Sequence, residues 1–135
     1  MGMRKRPTPP DTSRLDLERL KEMKTEELAA ERWKAETGGT VINGIQIATD
    51  DRSQAKITGA ALQATIDPGY ICQWKTDTGF IDLNAQLIMA IATAVRQFVQ
   101  SCFDREAVLN ALVTKAATAE EVMAIAWTMN LTEVK

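Results

Sequence analysis

An α+β fold is what this sequence predicts, and three of its features predict it. Two short stretches, "VINGIQI" and "CQWKTDTGFIDL", alternate apolar and polar residues around turn-forming residues, the pattern of antiparallel hairpins. A run free of Gly and Pro extends from Leu83 to Lys115 and reads as one long helix. A second such run, over residues 13–36, predicts a charged helix ahead of the hairpins. Strands that come as hairpins, with helices kept apart from them, give α+β rather than a parallel βαβ sheet.

The first twelve residues read as a tail. Arg4, Lys5 and Arg6 precede Pro7, Pro9 and Pro10, so helix is excluded and an extended chain favoured. Residues 13–36 follow as a charged helical arm that Ser13 can cap. Leu17, Leu20 and Leu28 cluster on one side of it, and Met23, Ala30 and Trp33 on another. No broad apolar stripe or heptad results. Such a helix is expected to be a solvated arm, or to pack against something outside this chain. The remainder, residues 37–135, is expected to form a single domain with two hairpins and a long helix.

Gly38 and Gly39 end the arm. Asn43-Gly44 is the strongest short hairpin signal, a two-residue type I′ turn that places Ile42 opposite Ile45 and Val41 opposite Gln46. Ile42, Ile45 and Ile47 then share one face. The next helix starts at Thr49 or Asp50, either of which can cap it, and Asp51 suits the helix dipole. Ile57, Ala61, Leu62 and Ile66 are expected to be its buried side, and Asp67-Pro68-Gly69 its stop. The acid pair Asp50-Asp51 thus has a structural explanation. A metal site would need further ligands converging on it, and nothing local supplies them.

In the second hairpin a loop over Thr76 to Gly79 sets Trp74 against Ile81 and Cys72 against Leu83. Tyr70, Cys72, Trp74, Ile81 and Leu83 would line the inner face. A shorter loop would pair Trp74 with Asp82, so the pattern selects the longer one. The hairpins are either separate or joined as one small sheet. The long helix carries a polar line at Gln86, Thr93, Gln97, Gln100 and Asp104 and is expected to be central, buried on most sides. Its roughly 33 residues would span about 50 Å, more than the ~36 Å diameter of a compact domain of this size. It is therefore expected to protrude, or to bend at "FDREA". Thr118-Ala119-Glu120-Glu121 is a capping box that opens a last short helix through Trp127, with Val122, Ile125 and Ala126 packing back.

The chemistry these residues could carry is limited. Histidine is absent from the sequence, which removes Ser–His and Cys–His pairs and most zinc sites. "TGGTVINGIQ" is no phosphate loop, since it lacks the Lys-Ser/Thr ending and opens a hairpin. Cys72 and Cys102, with no CxxC, read as buried free thiols. No catalytic residue, cofactor or metal is expected. With a net charge of −2 and one basic cluster, neither nucleic acid nor membrane is an expected partner. Trp33, Trp74 and Trp127 are expected as core or interface anchors.

Three stretches in order, "ERWKAETGGTVINGIQIATDDRSQAKITGAALQA", "CQWKTDTGFIDL" and "AVRQFVQSCFDREAVLNALVTKAAT", together resemble an uncharacterised domain family of tailed bacteriophages and prophages. The likeness covers roughly residues 27–129. Members occur beside or within tail, tail-fibre and baseplate proteins, and no catalytic residue comes with the resemblance. It implies a non-enzymatic virion protein, made in the host cytoplasm and built into the tail. In that role it would be a structural adaptor docking on a larger tail, fibre or baseplate protein. The alternative it implies is a tail-fibre assembly chaperone. The expected docking residues are Arg4, Lys5, Arg6, Leu17, Leu20, Leu28 and Trp33. Asn43, Gly44, Asp50, Trp74 and Gly79 are expected to be structural, and the long apolar helix invites self-association as a dimer or trimer.

Overall fold

A computed structural model describes residues 13–133 of the chain. In order they form α1 (Ser13–Thr37), β1 (Thr40–Ile42), β2 (Ile45–Ile47), α2 (Asp51–Ile66), β3 (Ile71–Thr76), β4 (Gly79–Asn84), α3 (Ala85–Lys115) and α4 (Ala119–Ala124), with a 3₁₀ turn at Leu131–Glu133. The architecture is α+β, as the hairpin and helix patterns predict. Arg4, Lys5 and Arg6 lie outside the described residues.

The spine is α3. Asn84 caps it, its side-chain oxygen accepting from the Leu87 N–H at 2.8 Å, and its 31 residues make a rod of about 46 Å. It runs unbroken through "FDREA", so the expected bend there is not a break in the helix. The expectation that it is buried on most sides needs correcting. Its buried residues Ile88, Ile91, Val95, Cys102, Leu109 and Val113 recur at three, four or seven positions, a single stripe, while Met89, Phe103 and Val108 face solvent.

Two cores attach to this stripe, one at each end. Around the N-terminal half, Ile47, Ile57, Ala64 and Leu83 join Ile88, Ile91 and Val95. Around the C-terminal half, Leu28 and Ile125 close over Leu109 and Val113, with Trp127, Met129 and Leu131 alongside. The first core is covered by α2 and both hairpins, the second by α1, α4 and the final turn.

Both hairpins adopt the register their patterns predict. Ile42 faces Ile45 and Val41 faces Gln46; Asn43 and Gly44 take φ of 51° and 78°, as a type I′ turn demands. Trp74 faces Ile81 and Cys72 faces Leu83. Thr76 and Gly79 are themselves paired, so the strands reach further than expected and the loop proper is Asp77-Thr78. Gly79 takes a φ of 130°, and its carbonyl accepts from the Thr76 hydroxyl at 2.8 Å. The hairpins form two separate two-stranded sheets.

Other expectations are corrected by packing. Leu62 and Ile66 are 63% and 69% exposed, and Ala64 is buried in their place. At 100° per residue, Ile57, Ala61 and Ala64 lie within one narrow arc, whereas Ile66 falls opposite Ile57. Helix α4 ends earlier than expected. Ile125 is its C-cap, so Trp127 lies beyond the helix, and Ala126 is exposed while Val122 and Ile125 are buried.

Candidate functional site

The helix expected to be a free arm packs on its own chain. Antiparallel to α3, α1 presents Leu28, only 1% exposed, to Leu109, Val113 and Ile125. Lys21 Nζ donates to the Thr114 carbonyl at 3.0 Å, and Lys24 Nζ to the Ile125 carbonyl at 2.8 Å. Long lysine stems cover apolar neighbours while the ammonium groups hold carbonyls at helix ends. This is how so charged a helix packs without a broad apolar stripe, and why Leu28 is a core residue rather than a docking contact. Leu17 and Leu20 are half-buried, and Trp33 is 54% exposed.

Between the two cores lies a charged belt. Arg32 pairs with Glu36 one turn along α1 and with Glu106 of α3, its Nε reaching Oε1 at 2.8 Å. Its guanidinium lies 4.3 Å from the centre of the Phe103 ring. The Glu106 bond, before all else, holds the Arg32 pKa above its ordinary value. Next to Glu106 on α3, Arg105 Nη1 donates to the carbonyls of Trp127 at 2.7 Å and Met129 at 3.1 Å, fastening the C-terminal segment. Burial pushes the nearby Cys102 thiol up, so it stays protonated and a poor nucleophile at neutral pH.

The acid pair at the head of α2 serves the joint. Asp50 is the N-cap residue, yet its carboxylate accepts from the Ser53 hydroxyl and not from a backbone N–H. That bond lowers its pKa. Thr49, fully buried, ties the first hairpin to the end of α1 by accepting from the Gly39 N–H at 2.8 Å. Among the described residues no group of three or more His, Cys, Asp or Glu side chains gathers as a metal site. No described helix is long and apolar enough to cross a membrane.

What remains are surfaces. On α1, Met23 (52% exposed), Ala30 and Trp33 face outward. Between α2 and α3 runs a cleft of about 440 Å³, floored by Ile57, Ala61 and Val95 and rimmed by Met89, Arg96 and Phe103. A second depression, about 550 Å³, lies between α2 and β3. Lys56 and Gly59 of α2 line one wall of it, and Tyr70, Trp74 and Lys75 the other, with Phe80 at its edge. Sequence reasoning placed Tyr70 and Trp74 together on one face of the second hairpin but did not bring Lys56, Gly59 or Phe80 beside them. Lys56 and Lys75 are distant in sequence, and only the packing of β3 beside α2 brings them together. The one signal available beforehand was Gly59, a glycine inside a helix.

No curated protein and no solved structure matches the chain. Residues 19–127 match a family described as a domain of unknown function, DUF4376. The matched segment takes in α1 from its second turn, both hairpins, α2, the spine and α4, and so contains the buried residues of both cores. The chain belongs to the DUF4376 family.

Proposed function

We propose that this protein is a non-enzymatic structural adaptor of a bacteriophage tail, docking on a larger tail, fibre or baseplate protein through the outward side of α1. The supporting observation is the placement of Trp33 and Met23. Both cores are filled by other residues, yet these two large apolar side chains stand more than half exposed on one helix, at 54% and 52%. An exposed tryptophan in a charged surround is the residue type that anchors interfaces. The tail context rests on the resemblance of the Gly-Gly hairpin, the "TDDRSQ" and "ITGA" stretches and the tryptophan hairpin to phage and prophage proteins. The docking set changes accordingly: Leu28 leaves it, because it belongs to the core, Trp33 stays, and Met23 joins it.

The test is quantitative mass spectrometry of purified mature particles from phage carrying the native chain or a Trp33→Ala, Met23→Ala variant. A fixed, symmetric copy number with the native chain is the expected result, falling at least tenfold with the variant while its melting temperature stays unchanged. Absence of the native chain from particles, with abundance in the lysate, would replace the adaptor by an assembly chaperone. Undiminished incorporation of the variant would move the docking surface off α1.

A further inference from the structure

We propose that the groove between β3 and α2 binds an extended acidic segment of a partner protein, which adds to β3 as a further strand. This goes beyond the docking role given to α1 and does not rest on it.

Three independent observations converge on the groove. The first is a free strand edge. Among the described residues β3 pairs with β4 alone; β2 lies close to it without bonding to it, and no backbone hydrogen bond between β3 and a third element is present among them. Alternate residues of an antiparallel strand turn N–H and C=O groups away from their partner, so the other edge of β3 offers a row of unused donors and acceptors. Six residues, Ile71–Thr76, give an edge of about 20 Å. A helix beside a free strand edge is a form in which extended peptides are held, backbone bonds supplying affinity and side-chain pockets specificity.

The second observation is the missing side chain of Gly59. It lies inside α2, is exposed, and has no positive φ; a Cβ added there would meet nothing within 4 Å. Packing within the chain therefore does not require glycine, although glycine is a poor residue for a helix interior. Gly59 borders the groove, and its bare backbone keeps that wall low enough for another chain to approach.

The third is charge. The charged residues lining the groove are Lys56 and Lys75, and no carboxylate lines it, in a chain whose net charge is −2. Asp50, which feels the charge of Lys56, is itself engaged by the Ser53 hydroxyl. Tyr70, Trp74 and Phe80, the last 68% exposed, add ring surface for apolar side chains. An acidic segment with alternating apolar residues matches this set. The chain's own residues 1–12 do not, since Arg4, Lys5 and Arg6 repeat the sign of the lysines and the prolines lack the N–H that strand pairing needs.

The experiment is selection from a positional library of fluorescein-labelled octapeptides on the full-length protein, followed by affinity measurement of the selected peptide by fluorescence polarisation. The expected result is enrichment of Asp and Glu, with proline excluded. Affinity should fall at least tenfold for Lys56→Glu, Lys75→Glu, and again when alternate peptide nitrogens are methylated. Gly59→Leu, which leaves a better helix former in α2, should stay folded and also lose at least tenfold. No acidic enrichment, binding indifferent to these substitutions, or tighter binding of labelled oligothymidylate in the same groove would each overturn the proposal. Because the probe is synthetic, these outcomes stand apart from the particle experiment on α1.

Discussion

Arg32 joins residues that the sequence keeps far apart, bridging Glu36 of its own helix and Glu106 of α3. Its side chain is 18% exposed and its partners Glu36 and Glu106 only 9% and 16%. Removing the guanidinium leaves the Glu36 and Glu106 carboxylates, both largely out of water, without the cation that pairs them, a loss of about 3 kcal/mol. Arg32→Met should show that loss in urea denaturation, and Arg32→Met with Glu106→Leu should recover part of it. If the single substitution costs no more than an exposed ion pair, roughly 0.5 kcal/mol, the belt adds nothing to stability. Arg32 was legible as a charge on a helix. Its partner Glu106 was not, since no local pattern links positions on α1 and α3.

Element boundaries were mostly legible because they depend on short-range chemistry. Asn43-Gly44 fixed a turn, the turn fixed a register, and alternation of Ile42, Ile45 and Ile47 agreed with it. The caps show where local reading stops. Asn84 and Thr118 accept backbone N–H bonds in the first turns of α3 and α4, from Leu87 at 2.8 Å and Glu121 at 3.1 Å. Asp50 occupies the same position on α2 without making such a bond. Asn84→Ala is therefore expected to destabilise the protein by about 1 kcal/mol, with Asp50→Ala costing clearly less. Thermal melting of the two variants checks the order, and equal effects would mean that Asp50 caps α2 in solution. On α2, by contrast, the choice of Leu62 and Ile66 as buried residues failed. Hydrophobicity does not choose the buried face there: Ala64 continues the arc of Ile57 and Ala61, and the larger Leu62 and Ile66 fall outside it.

At the scale of the whole molecule, one helix carries two cores separated by a charged belt. Such an arrangement predicts two partly independent units of opening. Leu28→Ala removes a fully buried side chain from the second core only, at an expected 2–5 kcal/mol. Amide hydrogen exchange should then accelerate in α1, α4 and the C-terminal half of α3, while the hairpins and α2 keep their protection. Equal acceleration everywhere would show that the belt transmits the loss and that the protein opens as one unit. The candidate surfaces belong to this scale too. The outward side of α1 exists because its other side meets α3, and the lysine groove exists because β3 lies beside α2.

By itself the sequence determined where elements start, turn and stop, because those outcomes depend on residues within a few positions of one another. The glycines after α1, the Asn43-Gly44 turn, the alternation of both hairpins and the unbroken run of α3 each act locally. Which face of each helix is buried was decided by tertiary structure. The charged α1 gave no stripe to choose from, and its packing rests on Leu28, on lysine stems and on a largely buried ion triad formed with α3. The same holds for the groove. Gly59 is an anomaly on its own helix, and it acquires meaning only when a strand with a free edge and two lysines is laid beside it.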